Sequence, residues 1–208
     1  QDVISFMKEK ILSSPEPVTI MALAPLTNIA NLLLKEPTII HHIAQIVVMG
    51  GSWYKGNVIP HAEFNIYADP HAAKEVFSGK VSTVIIPLEC CDDCTISEAT
   101  VQSWIHDERY LTKMVGGIMD FFAIYGRQHQ CTRHTIFDLA VTEYLLHPEI
   151  FEGEYCNCDV ILLGEETRGQ TVFTTNPNSK ILVLKHADTN RFEQQIISDI
   201  NLLANEII

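Results

Sequence analysis

The order of hydrophobic patterns along the chain predicts an open, mainly parallel α/β sheet with helices on both faces. Three observations carry that expectation. Short continuous apolar runs recur, of the kind buried on both faces of a parallel sheet. Segments with apolar residues at helical spacing alternate with them. No internal repeat, linker or low-complexity stretch interrupts the alternation.

The elements follow in order. Asp2 to Leu12 has helical spacing. Pro17 to Leu23 (PVTIMAL) is the first apolar run; it breaks at Pro25, and Leu26 to Lys35 reads as the helix that follows. Ile43 to Met49 (IAQIVVM) is the second strand, stopped by Gly50-Gly51. Asp69-Pro70 opens another helix, with Asp as N-cap and Pro at the first helical position, and Ala72, Ala73, Val76 and Phe77 supply its inner face. Val81 to Leu88 is the third strand. Helical stretches then surround Ser97 to Ile105, Leu111 to Gln128 and Asp138 to Leu146, the last ending before Pro148. Val160 to Leu163, Gly169 to Thr175 and Lys180 to Leu184 read as short strands, and Thr189 to Ile207 as a closing amphipathic helix.

Composition narrows the function. With 14 basic and 26 acidic residues the net charge is −12, which argues against a nucleic-acid surface, since that needs clustered Lys and Arg. No apolar run is long enough to cross a bilayer, and the first residues lack the succession of a secretory signal; a cytoplasmic location is expected. The six cysteines form close pairs at Cys90-Cys91-x-x-Cys94 and Cys156-x-Cys158. Neither has the paired knuckles of a structural zinc site, so reduced thiols are favoured over a metal or disulfide reading.

In such sheets ligands sit beyond the carboxyl ends of strands. That rule selects the loops after Leu23, Met49 and Leu88, and the first two are the informative ones. Gly50 to Asn65 (GGSWYKGNVIPHAEFN) holds Asn57, Glu63 and Asn65. A carboxylate accepts hydroxyl protons, and an amide both donates and accepts. Singly, Asn57 reads as a turn residue and Glu63 as a solvated charge. Together on one strand-end loop they point to a polyol or sugar.

Four stretches then resemble the inosine/uridine-preferring nucleoside hydrolases: Val48-Met49-Gly50-Gly51, Gly56-Asn57, Ala62-Glu63-Phe64-Asn65 and Asp69-Pro70-x-Ala72-Ala73. Pro25-Leu26-Thr27-Asn28-Ile29-Ala30, Asp138-x-Ala140-Val141 and Gly169-Gln170-Thr171 are similar to further segments of that family. The resemblance implies calcium-assisted hydrolysis of the N-glycosidic bond of ribonucleosides to ribose and free base. It implies Ca²⁺ held by oxygen ligands, among them the Leu23 carbonyl (where the family usually has Thr) and the Asp138 carboxylate. It assigns ribose to Asn57, Glu63 and Asn65, with Met49 packed against the sugar and Tyr125 near the base. A homo-oligomer, dimer or tetramer, is implied as well. Asp138 also opens a helical run, so capping and metal binding are both expected of it. Asp69 reads as a cap rather than a catalytic acid, and His61 as a loop histidine.

Two departures qualify the resemblance. The family's D-x-D-P-G-x-D-D cluster, source of its general base and most calcium ligands, has no match here; the nearest run, Cys91-Asp92-Asp93-Cys94, follows a different strand. No catalytic residue is therefore assigned. The chain is expected to be the C-terminal two-thirds of a single nucleoside hydrolase domain, its N-terminal strands absent, and inactive by itself. Second, Phe137 stands where many members have a leaving-group histidine; His129 or His134 are alternatives, though both read more readily as surface loop residues. The competing function is a non-catalytic nucleoside- or ribose-binding homologue, or an interaction module.

Overall fold

A computed structural model describes residues 2–206, the side chain of Tyr125 excepted. In chain order its elements are α1 (Val3–Ser13), β1 (Val18–Ala22), α2 (Thr27–Lys35), β2 (Ile43–Met49), α3 (Phe64–Ala68), α4 (Pro70–Val76), β3 (Thr83–Ile86), α5 (Leu88–Asp93) and β4 (Thr95–Ser97). They continue with α6 (Glu98–Ile105), α7 (Tyr110–Gln128), β5 (Arg133–Thr135), α8 (Leu139–Leu146), β6 (Phe151–Val160), β7 (Thr171–Thr175), β8 (Ile181–Ala187) and α9 (Thr189–Glu206). The chain divides into two compact units: residues 1–90 with 151–186, and residues 91–150 with 187–208.

The first unit holds a six-stranded sheet in the order β1-β2-β3-β8-β6-β7. β1 with β2, β2 with β3 and β3 with β8 are parallel, while β6 and β7 pair antiparallel. The sheet is thus mostly parallel, as the apolar runs predict. β3 is buried along its whole length, and Ile46, Val47 and Val48 of β2 are fully buried. Each such side chain contributes about 1.5–3 kcal/mol on leaving water. β1, at the sheet edge, alternates in exposure instead. Leu32, Leu33, Ala73 and Val76 bring α2 and α4 into the same core.

The second unit carries β4 and β5, a two-stranded antiparallel pair, with α6 to α9. Among the described residues, no helix is long and apolar enough to cross a membrane.

Several boundaries match closely. Asp69 accepts from the Ala72 amide at 3.0 Å as N-cap of α4, with Pro70 in the first turn. Asp2 and Ser97 cap α1 and α6. Other expectations fail. The strand foreseen over Val160 to Leu163 lies upstream, at Phe151–Val160, and Leu163 is exposed. Only Phe151, Cys156 and Val160 of that ten-residue strand are buried, so its polar residues hide it from a search for apolar runs. β4 and β5, three residues each, fall below the length at which period shows. Cys90, Cys91 and Cys94 are buried, the first two within α5.

Candidate functional site

β1, β2 and β3 run in register, Ala22 beside Val48 and Met49 beside Ile86. Their carboxyl ends therefore lie side by side, and the loops that leave them form one rim. Leu23 follows Ala22 directly. Its side chain is exposed, and its carbonyl accepts no backbone hydrogen bond among the described residues.

The loop after β2 is held by side chains rather than by secondary structure. The amides of five consecutive residues each donate to a side chain. Gly51 donates to Glu63 at 3.1 Å and Ser52 to Thr171 Oγ1 at 3.0 Å. Trp53, Tyr54 and Lys55 donate to the Glu89 carboxylate at 2.8, 3.1 and 3.3 Å. Gly51 has φ +77°, a conformation suited to glycine, and a Cβ there would press on Thr171. Gly56 is needed for a different reason: a Cβ would lie 1.8 Å from the Ile59 carbonyl.

Glu63 is the centre of the arrangement. Only 2% exposed, it caps α3 by accepting from the Asn65 amide at 2.8 Å and from Ile66 at 3.2 Å, besides Gly51. Asn65 is buried beside it and turns its Nδ2 onto the Met49 carbonyl at 3.1 Å. Met49, Glu63 and Asn65 are thus brought together at the end of β2. Asn57 is exposed, and its Oδ1 accepts from the Phe64 amide at 2.9 Å. It ties the far side of the loop to the start of α3.

Asp138 lies in the second unit. The sequence suggests that it caps α8, but its backbone is helical (φ −72°, ψ −29°) and its side chain makes no capping hydrogen bond. A capping side chain needs an extended residue to fold back on the first turn; a residue already in the turn points away. Its carboxylate is exposed and has no hydrogen-bond partner among the described residues, and partial desolvation raises its pKa above the usual carboxylate value. The side chain of Tyr125 lies outside the described residues.

The histidines correct a further expectation. His134 is not a surface loop residue: it is buried in β5, with Nε2 2.6 Å from Glu98. Arg127 bonds the same carboxylate and, with Gln102 and His134, holds Glu98 down at about 2. His134 is therefore engaged in a structural cluster. His129 is exposed at the end of α7.

Glu89 was missed in the sequence, although the strand-end rule selects the loop after Leu88; an isolated Glu beside cysteines carries no motif. With Trp53, Tyr54, Lys185 and His186 it lines a recess of about 260 Å³. A larger one, about 460 Å³, lies beside α1 among Asp2, Lys8 and Glu36. It is bordered by a surface ion pair, Lys8–Glu36, and holds none of the strand-end residues.

Comparison with known proteins gives the family. A family model described as "Inosine-uridine preferring nucleoside hydrolase" matches residues 1–194. The chain belongs to that family. A "Pyrimidine-specific ribonucleoside hydrolase RihA" of Citrobacter koseri is 34% identical over 188 residues, covering 86% of this chain and 60% of the relative. A "Non-specific ribonucleoside hydrolase RihC" of Salmonella schwarzengrund is 34% identical over 166 residues, covering 80% and 53%. The chain thus spans a little over half the length of these curated relatives. Among solved structures, a purine-preferring ribonucleoside hydrolase from Gardnerella vaginalis superposes with TM-score 0.88 at 24% identity, covering 98% of this chain and 66% of the other. A plant nucleoside hydrolase gives 0.87 at 23%, covering 95% and 66%. These two show the nucleoside hydrolase fold.

Proposed function

We propose that this nucleoside hydrolase chain contributes the ribose-binding part of a calcium-assisted N-glycosidase acting on ribonucleosides. The observation that carries the reading is the buried cluster of Met49, Glu63 and Asn65 at the carboxyl end of β2. The relatives' names share the ribonucleoside and differ in the base, so the proposal is made at that level.

In the reaction, water adds its oxygen to C1′ as the C1′–N bond breaks, and the water's proton goes finally to the departing base. The transition state has oxocarbenium character. Glu63 places a buried negative charge near the developing positive charge. Backbone amides occupy three of the roughly four acceptor positions of its carboxylate, so it acts more through charge than through many hydroxyl contacts. Asn57 and Asn65 present amides that both donate and accept, suited to vicinal hydroxyls, while Met49 packs against the sugar. Tyr125 is assigned to the base. No residue here is assigned as general base or leaving-group acid.

Each candidate ligand by itself offers the chemistry a hard cation takes. The Leu23 carbonyl and the Asp138 carboxylate are oxygen donors without protein partners among the described residues, and Ca²⁺ takes only oxygens. A bound cation would reverse the upward shift that desolvation gives Asp138. When bound, the ion would orient a water and make it easier to deprotonate. The reading takes residues 1–208 as part of a single nucleoside hydrolase domain, in a cytoplasmic homo-oligomer.

The test is release of base from uridine and inosine by the full-length protein with Ca²⁺ supplied. Glu63→Ala should lower kcat/KM about 100-fold, or about 2.7 kcal/mol, and His61→Ala should change it little. Equal losses for the two would refute the assignment. Nucleoside binding with no base release would identify a non-catalytic homologue instead.

A further inference from the structure

We infer that Glu143, His147 and Asp199 form a binding site for one divalent transition-metal ion of the zinc class, independent of the ribose site. All three residues belong to the second unit.

The placement follows from helical spacing. Glu143 and the C-cap residue His147 are four apart on α8, and Gln195 and Asp199 are four apart on α9, so each pair shares a face. The faces meet. One ligand atom from each of Glu143, His147 and Asp199 lies within 4.8 Å of the other two. His147 Nε2 is 3.3 Å from Asp199 Oδ2. Two ligands on a tetrahedral ion with bonds of about 2.0–2.1 Å stand about 3.3 Å apart.

The second observation is the state of Glu143. It is only 2% exposed, and its Oε2 is buried without a hydrogen-bond partner. Protonation leaves the difficulty in place, because an O–H on that oxygen would equally lack an acceptor. Among the described residues no Lys or Arg pairs with Glu143 or Asp199; the nearby Arg191 reaches Glu149 instead, at 3.5 Å. Two carboxylates and an imidazole therefore converge with no Lys or Arg among them, and His147 can offset at most one of the two negative charges, an arrangement a dication relieves. Desolvation and then Asp199 push Glu143 up to about 7, with His147 opposing them only in part.

The donor set selects the ion. One imidazole nitrogen and two carboxylate oxygens suit Zn²⁺ or Co²⁺, whereas Ca²⁺ needs six to eight oxygens. Gln195 Nε2 lies 3.1 Å from His147 Nδ1 and 3.0 Å from Nε2, so it packs against the imidazole and would have to turn aside as the ion takes a ring nitrogen. His147 and Asp199 remain partly exposed, which leaves a path for the ion.

The experiment is titration of the chelator-treated, full-length protein with Co²⁺ and Zn²⁺, followed by calorimetry and by the visible bands of tetrahedral Co²⁺. The expected result is one ion per chain at this site, undisturbed by Ca²⁺ or by Asp138→Asn. Glu143→Gln and His147→Gln should each weaken it about 10- to 100-fold. Circular dichroism confirms folding, and the partly exposed His147 serves as the second variant should Glu143→Gln unfold. Absence of saturable binding, or binding retained by both folded variants, overturns the proposal. Loss of base release with Co²⁺ binding intact would instead count against the proposed activity alone.

Discussion

Replacing Glu63 by alanine separates its structural work from its proposed work on ribose. The carboxylate accepts from the amides of Gly51, Asn65 and Ile66 at 3.1, 2.8 and 3.2 Å, all in buried surroundings. Orphaning a buried donor costs about 1–3 kcal/mol, and hydrogen bonds to a charged group lie at the upper end. The vacated space adjoins Gly50 and Ile66, and water admitted there would recover part of the loss. A net cost of about 3 kcal/mol follows. For a chain of this size, that lowers Tm by about 6–12 °C. Differential scanning calorimetry measures it, with Glu63→Gln as comparison. Glutamine retains one acceptor oxygen but turns an NH₂ toward donors, so its loss should fall between those of wild type and alanine. A Tm within about 1 °C of wild type for Glu63→Ala would refute the view that this carboxylate organises the loop.

Other outcomes follow from the same geometry. Gly56→Ala should destabilise the protein by about 1–3 kcal/mol and speed hydrogen exchange at Asn57 and Ala62, because the new Cβ meets the Ile59 carbonyl. Thr171→Val removes both bonds between Oγ1 and the Ser52 backbone; a loss of about 1–3 kcal/mol is expected in chemical unfolding. Glu193 is held at about 2 despite burial by Thr100, Ser97 and Arg133. Its depressed pKa gives stability that is present above its ordinary value of 4.5 and lost as pH falls toward 2; Glu193→Gln should flatten acid unfolding there. Glu143 has the opposite sign: raised to about 7 by desolvation and by Asp199, with His147 opposing, it costs the metal-free protein stability as pH rises from 4.5 to 7. The slope should total about 2–3 kcal/mol and vanish in Glu143→Gln.

The parts legible in the sequence are those where one residue type answers one local demand. Ile43 to Met49 is apolar on both faces because its strand lies inside a parallel sheet, so a plain run finds it. Asp69-Pro70 marks a helix start because only a short acceptor and a residue without an amide suit those two places. Phe151–Val160 escaped because seven of its ten residues are not fully buried. Asp138 misled for a related reason: a helix start attracts acidic residues, yet sequence does not reveal whether the backbone there is extended or already turned. The Glu143 cluster joins α8 to a helix some fifty positions later, and no spacing rule links them.

The same distinction explains why one strand-end glutamate was found and its counterpart missed. Glu63 sits within Ala62-Glu63-Phe64-Asn65, where it caps α3 and stands in a motif that resembles a family signature, so its neighbours are read with it. Glu89 accepts three amides of the same loop, but those donors are backbone groups, which any sequence supplies. A carboxylate that binds only main chain leaves no partner to read. Yet the loop's geometry depends on both: Glu63 and Glu89, with Thr171 between them, engage every amide from Gly51 to Lys55. Two buried carboxylates thus set the loop in place on folding, so at the proposed ribose site the ordering cost would be met in folding rather than in binding. Loss of Glu89 should therefore weaken ribose binding without any contact between Glu89 and ribose.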